Sequence, residues 1–245
     1  MIRLRRDWLA SHPLALVAGG ALAALAMPPF NLPVLLLPMM MQAVWVVDRI
    51  AASPLTLIVK ARQVFFCGWL LGFGYFTAGL WWLAYAFLVE PDQFAWLIPL
   101  GIFGLPAVLA VFVAAALAAC VLLWSGSAWR VLTLAGLFGL GDLARTLLFT
   151  GLPWNSFGLA LAAVPAWAQT AAFVGQPGLA VLAVLFAATP APLLDKKNKG
   201  SSQWMLLSLS LLLLLCMTWG GLWRLEQGQT AYVDHVRLRI LQPNI

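Results

Sequence analysis

Charge is what this sequence has least of: 8 Asp+Glu and 14 Lys+Arg in 245 residues, 9% of the chain. So little polar material cannot cover the surface of a water-soluble globule, which excludes that class. Histidine occurs only as His12 and His235, at no ligand spacing, so the sequence offers no zinc donor set. Cys67, Cys120 and Cys216 each sit inside an apolar run without a CxxC or Cys/His pattern. They read as small hydrophobic side chains, neither disulfide partners nor metal ligands. Glu90 and Asp92 flank Pro91 without a base or metal partner, and read as a solvated turn, not a paired-carboxylate site. A glycine-rich phosphate loop, a nucleophile triad and an internal repeat are missing too, so neither a metal nor a cofactor is expected. The net charge of +6 comes from basic residues scattered between apolar runs. That is a pattern of membrane topology and not of a nucleic-acid face.

What the chain has in abundance is hydrophobic sequence, 63% of its residues, with a mean hydropathy of +0.95. The expected fold class is an all-α polytopic membrane protein, a bundle of about seven transmembrane helices, with about six or eight as neighbouring solutions. The runs are 8–27, 32–47, 64–89, 94–124, one opening at Trp129 and Arg130, 164–194 and 204–223. Arg3, Arg5 and Arg6 before the first run, with Ala24-Leu-Ala26 near its end resembling a cleavage site, also fit a signal peptide. A retained helix is the stronger reading, because everything downstream is membrane-like as well. Gly68 and Gly72 form a GxxxG step in the third run, and Trp81, Trp82 and Tyr85 mark its exit into the headgroup layer. The fourth run exceeds the hydrocarbon thickness and carries Pro99 and Pro106, so a kink, a tilt or an interfacial entry is expected. Gln169, Gln176, Pro177 and Gly178 interrupt the sixth, which points to an interfacial first part, and 195–202 reads as a solvated loop.

Basic residues set the orientation. With the N-terminus in the cytoplasm, the inward connections hold Arg3, Arg5, Arg6, Arg49, Lys60, Arg62, Arg130, Lys196, Lys197 and Lys199. The outward turns near Asn31, Asp92 and Asn155 hold none. Seven crossings then deliver the C-terminal tail to the outer face, the periplasm of a bacterial inner membrane.

One stretch stands apart from the apolar background: Gly141-Asp-Leu-Ala-Arg-Thr-Leu-Leu-Phe-Thr-Gly-Leu-Pro-Trp-Asn-Ser-Phe-Gly158. Asp142 and Arg145 lie three apart, share a helix face and can neutralise each other where a lone charge is expensive. Gly151 and Pro153 end the helix, and Trp154 suits the membrane–water boundary. Asn155 and Ser156 follow, making a polar, aromatic-lipped loop.

This stretch resembles the membrane-domain signature of the apolipoprotein N-acyltransferase family, with Asp142 where glutamate is common and Leu152 where phenylalanine is common. Met27-Pro-Pro-Phe30, the segment Gly72-Phe-Gly-Tyr-Phe-Thr-Ala-Gly-Leu-Trp-Trp82 and the closing Leu238-Arg-Ile-Leu-Gln-Pro-Asn-Ile245 extend the resemblance over most of the chain. It implies transfer of an acyl chain from a phospholipid, through a cysteine thioester, to the diacylglyceryl-cysteine amine of an apolipoprotein. The phospholipid donor and the apolipoprotein acceptor are the implied partners, besides the bilayer itself; nucleic acid is not. Arg145, Pro153, Trp154 and Asn155 are the implied lipid-binding rim, with Arg145 a candidate for attracting a phosphate.

The tail changes character after Trp223. His235-Val-Arg-Leu-Arg-Ile-Leu241 alternates strictly, the pattern of a half-buried strand. By resemblance it opens a nitrilase-like domain whose Glu-Lys-Cys triad is not in this sequence, and the cysteines in apolar runs have no adjacent base to substitute. The expected domains are therefore 1–223, transmembrane, and 224–245, a periplasmic linker and first strand. A truncated product or one half of a split enzyme, completed by a separately encoded nitrilase-like domain, is the expectation, with no catalytic residue in this chain. The alternative is a non-catalytic membrane scaffold or small transporter sharing the fold; transport calls for polar groups meeting at mid-bilayer.

Overall fold

The computed structural model describes residues 2–148, 153–195, 200–228 and 237–242. All regular structure among them is helical. The principal helices are α1 (Ile2–Leu9), α2 (Pro13–Ala24), α3 (Leu36–Ala51), α4 (Leu57–Gly79), α5 (Leu105–Leu123), α6 (Arg130–Leu147), α7 (Ala171–Ala188) and α8 (Ser201–Gln227). Local chemistry sets several of their ends. Pro13 opens α2 behind an extended His12, a position where proline's missing N–H is no loss. The turn from α2 into α3 is built from Met27 to Leu32, with Asn31 at φ 53°, a conformation asparagine tolerates better than most residues.

α4 is the axis of the bundle, packed along α2 on one side and α5 on another. Small residues make both approaches possible. A Cβ added to Gly68 would lie 3.0 Å from Ala114 Cα, and one on Gly72 would lie 3.0 Å from Ala110 Cα. The GxxxG step read in the sequence is thus the seam with α5. On the α2 side, Gly20 faces the Leu71 carbonyl and Gly74 the Val17 carbonyl. α6 packs on α5 and α7, while α8 lies at the margin against the short helix Pro165–Ala168. Its buried positions, Gln203, Leu206, Ser210, Met217 and Gly221, fall on one stripe. The opposite face, with Trp204, Leu212, Leu215 and Trp219, is exposed apolar surface of the kind that faces lipid.

Among the described residues, five segments are long and apolar enough to cross a membrane: Pro33–Ala51, Leu57–Gly79, Pro91–Leu123, Ala171–Leu194 and Ser201–Gln227. This multi-pass arrangement agrees with the membrane class read from composition, but five is fewer than the seven runs expected. α2 has 12 residues, about 18 Å of helix, and α6 carries Arg130, Asp142 and Arg145 in 18 residues. The third run is also shorter than its hydropathy suggests: α4 stops at Gly79, and Trp81–Leu83 and Ala84–Phe87 are separate short turns. In the fourth, irregular turns and a π segment at Leu100–Gly104 precede α5, so its excess length is taken up before the regular helix. The sixth is broken at Gly175, with φ 66° and ψ 178°.

The expected strand is a further difference. His235 and Val236 lie outside the described residues, as do 243–245, and residues 237–242 form no strand. Leu238, Ile240 and Leu241 are 87%, 94% and 80% exposed. Alternation alone does not make a strand; its backbone groups need a partner edge and its apolar face a layer to cover it.

Candidate functional site

The helix-to-loop signature folds into a buried polar knot under an aromatic lip. Asp142 and Arg145 occupy the last turns of α6, both side chains 2% exposed, with Arg145 Nη2 2.6 Å from Asp142 Oδ1. The i,i+3 pairing read in the sequence is therefore real, and it is the start of a larger set. Ser156 Oγ donates to Asp142 Oδ2, Gln176 Nε2 donates to Ser156 Oγ, and Gln176 Nε2 also lies 3.4 Å from Asp142 Oδ2. Arg145 Nη1 donates to the Trp154 carbonyl at 2.6 Å. Its guanidinium sits 5.3 Å from the centre of the Phe76 ring, where the ring's negative face favours a cation. Each charged group is thus neutralised and hydrogen-bonded, the condition for keeping it in an apolar bundle.

The loop above is fixed at several points. Tyr75, fully buried on α4, donates to the Asn155 carbonyl at 2.9 Å. Asn155 takes φ 52°, and its side-chain amide lies where a Gly79 Cβ would be, so glycine at the end of α4 makes room for it. Phe157 is buried, 5.1 Å from the Tyr75 ring and 5.8 Å from the Phe138 ring. Pro153 and Trp154 stay on the surface, and the Trp154 ring lies 5.1 Å from Trp82. Trp82 in turn follows the end of α4, so the two aromatic motifs noted in the sequence meet at one lip. Gly151 and Leu152 lie outside the described residues.

Of the four expected rim residues, Pro153 and Trp154 face outward, Asn155 is half-buried, and Arg145 is buried beneath them. With one nitrogen on Asp142 and another on the Trp154 carbonyl, Arg145 holds the loop from below. Tyr75, Ser156 and Gln176 were not singled out as site residues. Gln176 did carry a signal: an amide inside an apolar run needs a buried partner.

A second polar centre joins the opposite ends of the same helices. Asp48 on α3 and Asp195 after α7 alternate with Arg6 on α1 and Arg130 on α6. Arg6 is 2.9 Å from Asp48 and 2.7 Å from Asp195; Arg130 Nε is 2.8 Å from Asp48, and Arg130 also pairs with Asp195. Trp124 Nε1 donates to Asp48 at 3.0 Å. Asp195 is thus part of the bundle's framework and not of a solvated loop; residues 196–199 lie outside the described residues. Cys67 and Cys120 are buried as expected, whereas Cys216 is exposed on α8. Among the described residues no group of three His, Cys, Asp or Glu side chains could hold a metal.

Among the described residues this geometry presents an exposed aromatic lip over a buried ion pair, and comparison with known proteins gives it a context. Residues 19–189 match the family model described as the apolipoprotein N-acyltransferase N-terminal domain. A protein of Rhodopseudomonas palustris named apolipoprotein N-acyltransferase is 44% identical over 233 residues, covering 95% of this chain and 42% of its own length. Relatives of the same name from Agrobacterium fabrum and Brucella suis are 40% and 41% identical over 236 and 239 residues; they cover 96% and 95% of this chain and 44% and 43% of their own lengths. The chain therefore spans less than half the length of these relatives. On a match that takes in α3 to α7 and the whole of the Asp142–Ser156 knot, the chain belongs to the apolipoprotein N-acyltransferase family, through that family's N-terminal domain.

Proposed function

We propose that this chain is the membrane domain of an apolipoprotein N-acyltransferase, which transfers an acyl chain from phospholipid to the N-terminal diacylglyceryl-cysteine of bacterial lipoproteins. Its part is to hold the two lipid-bearing substrates at the membrane surface, where positioning lowers the entropic cost of their reaction. Bond making belongs to a Glu-Lys-Cys nitrilase-like domain, and residues 224–245 lead toward it as linker and as the segment that pairs into its first strand when that domain supplies an edge. Residues 1–223 cross the inner membrane seven times, as α2 to α8, with the N-terminus in the cytoplasm and the tail in the periplasm. The packing of α2 along α4 supports counting α2, and the mutual neutralisation of Asp142 and Arg145 supports counting α6.

The observation that carries this reading is the exposed Pro153-Trp154 lip, packed beside Trp82 and tied through Arg145 to a buried ion pair. Trp154 and Pro153 offer an aromatic, apolar edge at headgroup depth, and Asn155 shapes the turn. Arg145 acts on the lipid through the loop it fixes. The scaffold or transporter alternative finds less support, since the polar clusters described sit toward the two ends of the helices.

Expression of the chain alone in cells depleted of their resident N-acyltransferase tests the division of labour. Lipoproteins should stay free of the N-linked acyl chain, as read by mass spectrometry of their N-terminal peptides. Restored acylation by this chain alone would overturn the assignment of bond making to a separate domain.

A further inference from the structure

At the end of the bundle away from the Trp154 lip, a groove of about 520 Å³ opens between the last turn of α3 and the first turns of α4. Arg49, Ile50, Val59, Arg62, Gln63 and Phe66 line it, with Cys67 at its base. The volume falls in the range typical of small-molecule sites. Its chemistry is divided. Arg49, Arg62 and Gln63 are exposed polar groups, whereas Phe66 presents an aromatic face and Ile50 is buried.

The two arginines differ from their neighbours at this end of the molecule. Arg6 and Arg130 are matched by Asp48 and Asp195, but neither Arg49 nor Arg62 forms an ion pair among the described residues. Arg49 spends one N–H on the Ala10 carbonyl at 3.2 Å, which fixes the guanidinium and leaves its other donors available. Lys60, bonded to the Ala51 carbonyl at 2.7 Å, adds a further positive charge close by. No acidic side chain lines the groove. The result is a pair of uncompensated guanidinium groups directly above an apolar wall on a membrane-spanning helix.

We propose that this groove binds one anionic phospholipid, its phosphate held between Arg49 and Arg62 and its proximal acyl chains lying on Phe66, Val59 and Ile50. Arginine's planar fork suits a phosphate, and a polar rim over an apolar wall at the edge of a spanning helix matches the depth profile of a lipid and not that of a soluble anion. The site lies at the far end of α4 from Trp154, about 30 Å away along a helix of 23 residues. It is thus separate from the proposed substrate lip, and failure of either leaves the other standing.

Native mass spectrometry of the purified chain in detergent, titrated with phosphatidylglycerol or phosphatidylcholine, tests the proposal. One phosphatidylglycerol should be retained preferentially. Its affinity should fall about fivefold in Arg62→Gln and about thirtyfold in Arg49→Gln/Arg62→Gln, as expected for loss of one or two arginines facing anionic lipid. Because Arg49 also bonds to Ala10, Arg62→Gln is the decisive variant if the double variant does not fold. Arg237→Gln/Arg239→Gln removes the same charge elsewhere and should leave retention unchanged. Equal retention of phosphatidylcholine, equal loss in the tail variant, no loss in Arg62→Gln, or displacement by millimolar inorganic phosphate as effective as by lipid would each overturn it.

Discussion

Arg145 donates to the main-chain carbonyl of Trp154 across 2.6 Å, from a guanidinium buried in the bundle to a residue whose indole stands at the surface. That bond converts an ion pair inside the helices into the shape of a loop outside them. The buried and exposed halves of the signature therefore form one unit, and their substitutions should separate stability from function.

Removing one member of the buried pair leaves the other charge uncompensated. Arg145→Met or Asp142→Ala should each lower stability by about 3–5 kcal/mol. Thermal unfolding in detergent is the check; the double variant should recover part of the loss, because it leaves no orphan charge.

Trp154→Ala should behave differently. Its ring packs against Trp82 but remains on the surface, so the stability change should stay within about 1.5 kcal/mol. Photo-crosslinking of a diazirine-bearing phospholipid to the loop should nevertheless fall. A large drop in melting temperature with unchanged crosslinking would contradict the assignment of Trp154 to a lipid-contacting lip.

The α4–α5 seam predicts a position-dependent cost for added volume. Gly72→Leu places atoms against the Ala110 backbone, 3.0 Å from the Cβ alone, and overpacking of this kind costs about 1–3 kcal/mol. Gly136, on α6, has open space around it, so Gly136→Ala should be neutral or stabilising by up to about 1 kcal/mol. Paired melting curves distinguish the two.

Asp195 should matter more than an ordinary loop carboxylate. It pairs with both Arg6 and Arg130, whereas Asp92 is exposed. Asp195→Asn should destabilise by about 2 kcal/mol, less than for a fully buried pair because its side chain retains 14% exposure. Asp92→Asn should change unfolding by under about 0.5 kcal/mol.

Orientation is open to direct labelling. With Cys216 replaced by serine, Asp92→Cys should react with a membrane-impermeant maleimide in intact spheroplasts, and Ser125→Cys only after permeabilisation. Both positions are exposed. The reverse pattern would invert the proposed topology and move the Trp154 lip to the cytoplasmic side.

Hydropathy located the apolar runs because the cost of unsatisfied backbone in lipid acts on composition and hardly on partners. It located helix ends less well, since Gly79, Gly104 and Gly175 interrupt runs whose hydropathy continues past them. The tail shows the converse. Its alternating pattern is compatible with a strand, but residues 237–242 are exposed and form no strand among the described residues, and pairing is a property of neighbours.

What the sequence determined by itself was the membrane class, the GxxxG seam of α4 and the Asp142–Arg145 pair, all of which depend on composition or on spacing within one helix. Only the tertiary structure decided that Ser156 and Gln176 complete that pair, that Asp48 and Asp195 share Arg6 and Arg130, and that Arg49 and Arg62 are left without an ion pair among the described residues. Those outcomes bring together residues from 13 to 189 positions apart. A charge's partner across such a distance is fixed by how helices pack, because the desolvation that makes a partner necessary does not specify where in the chain it must come from.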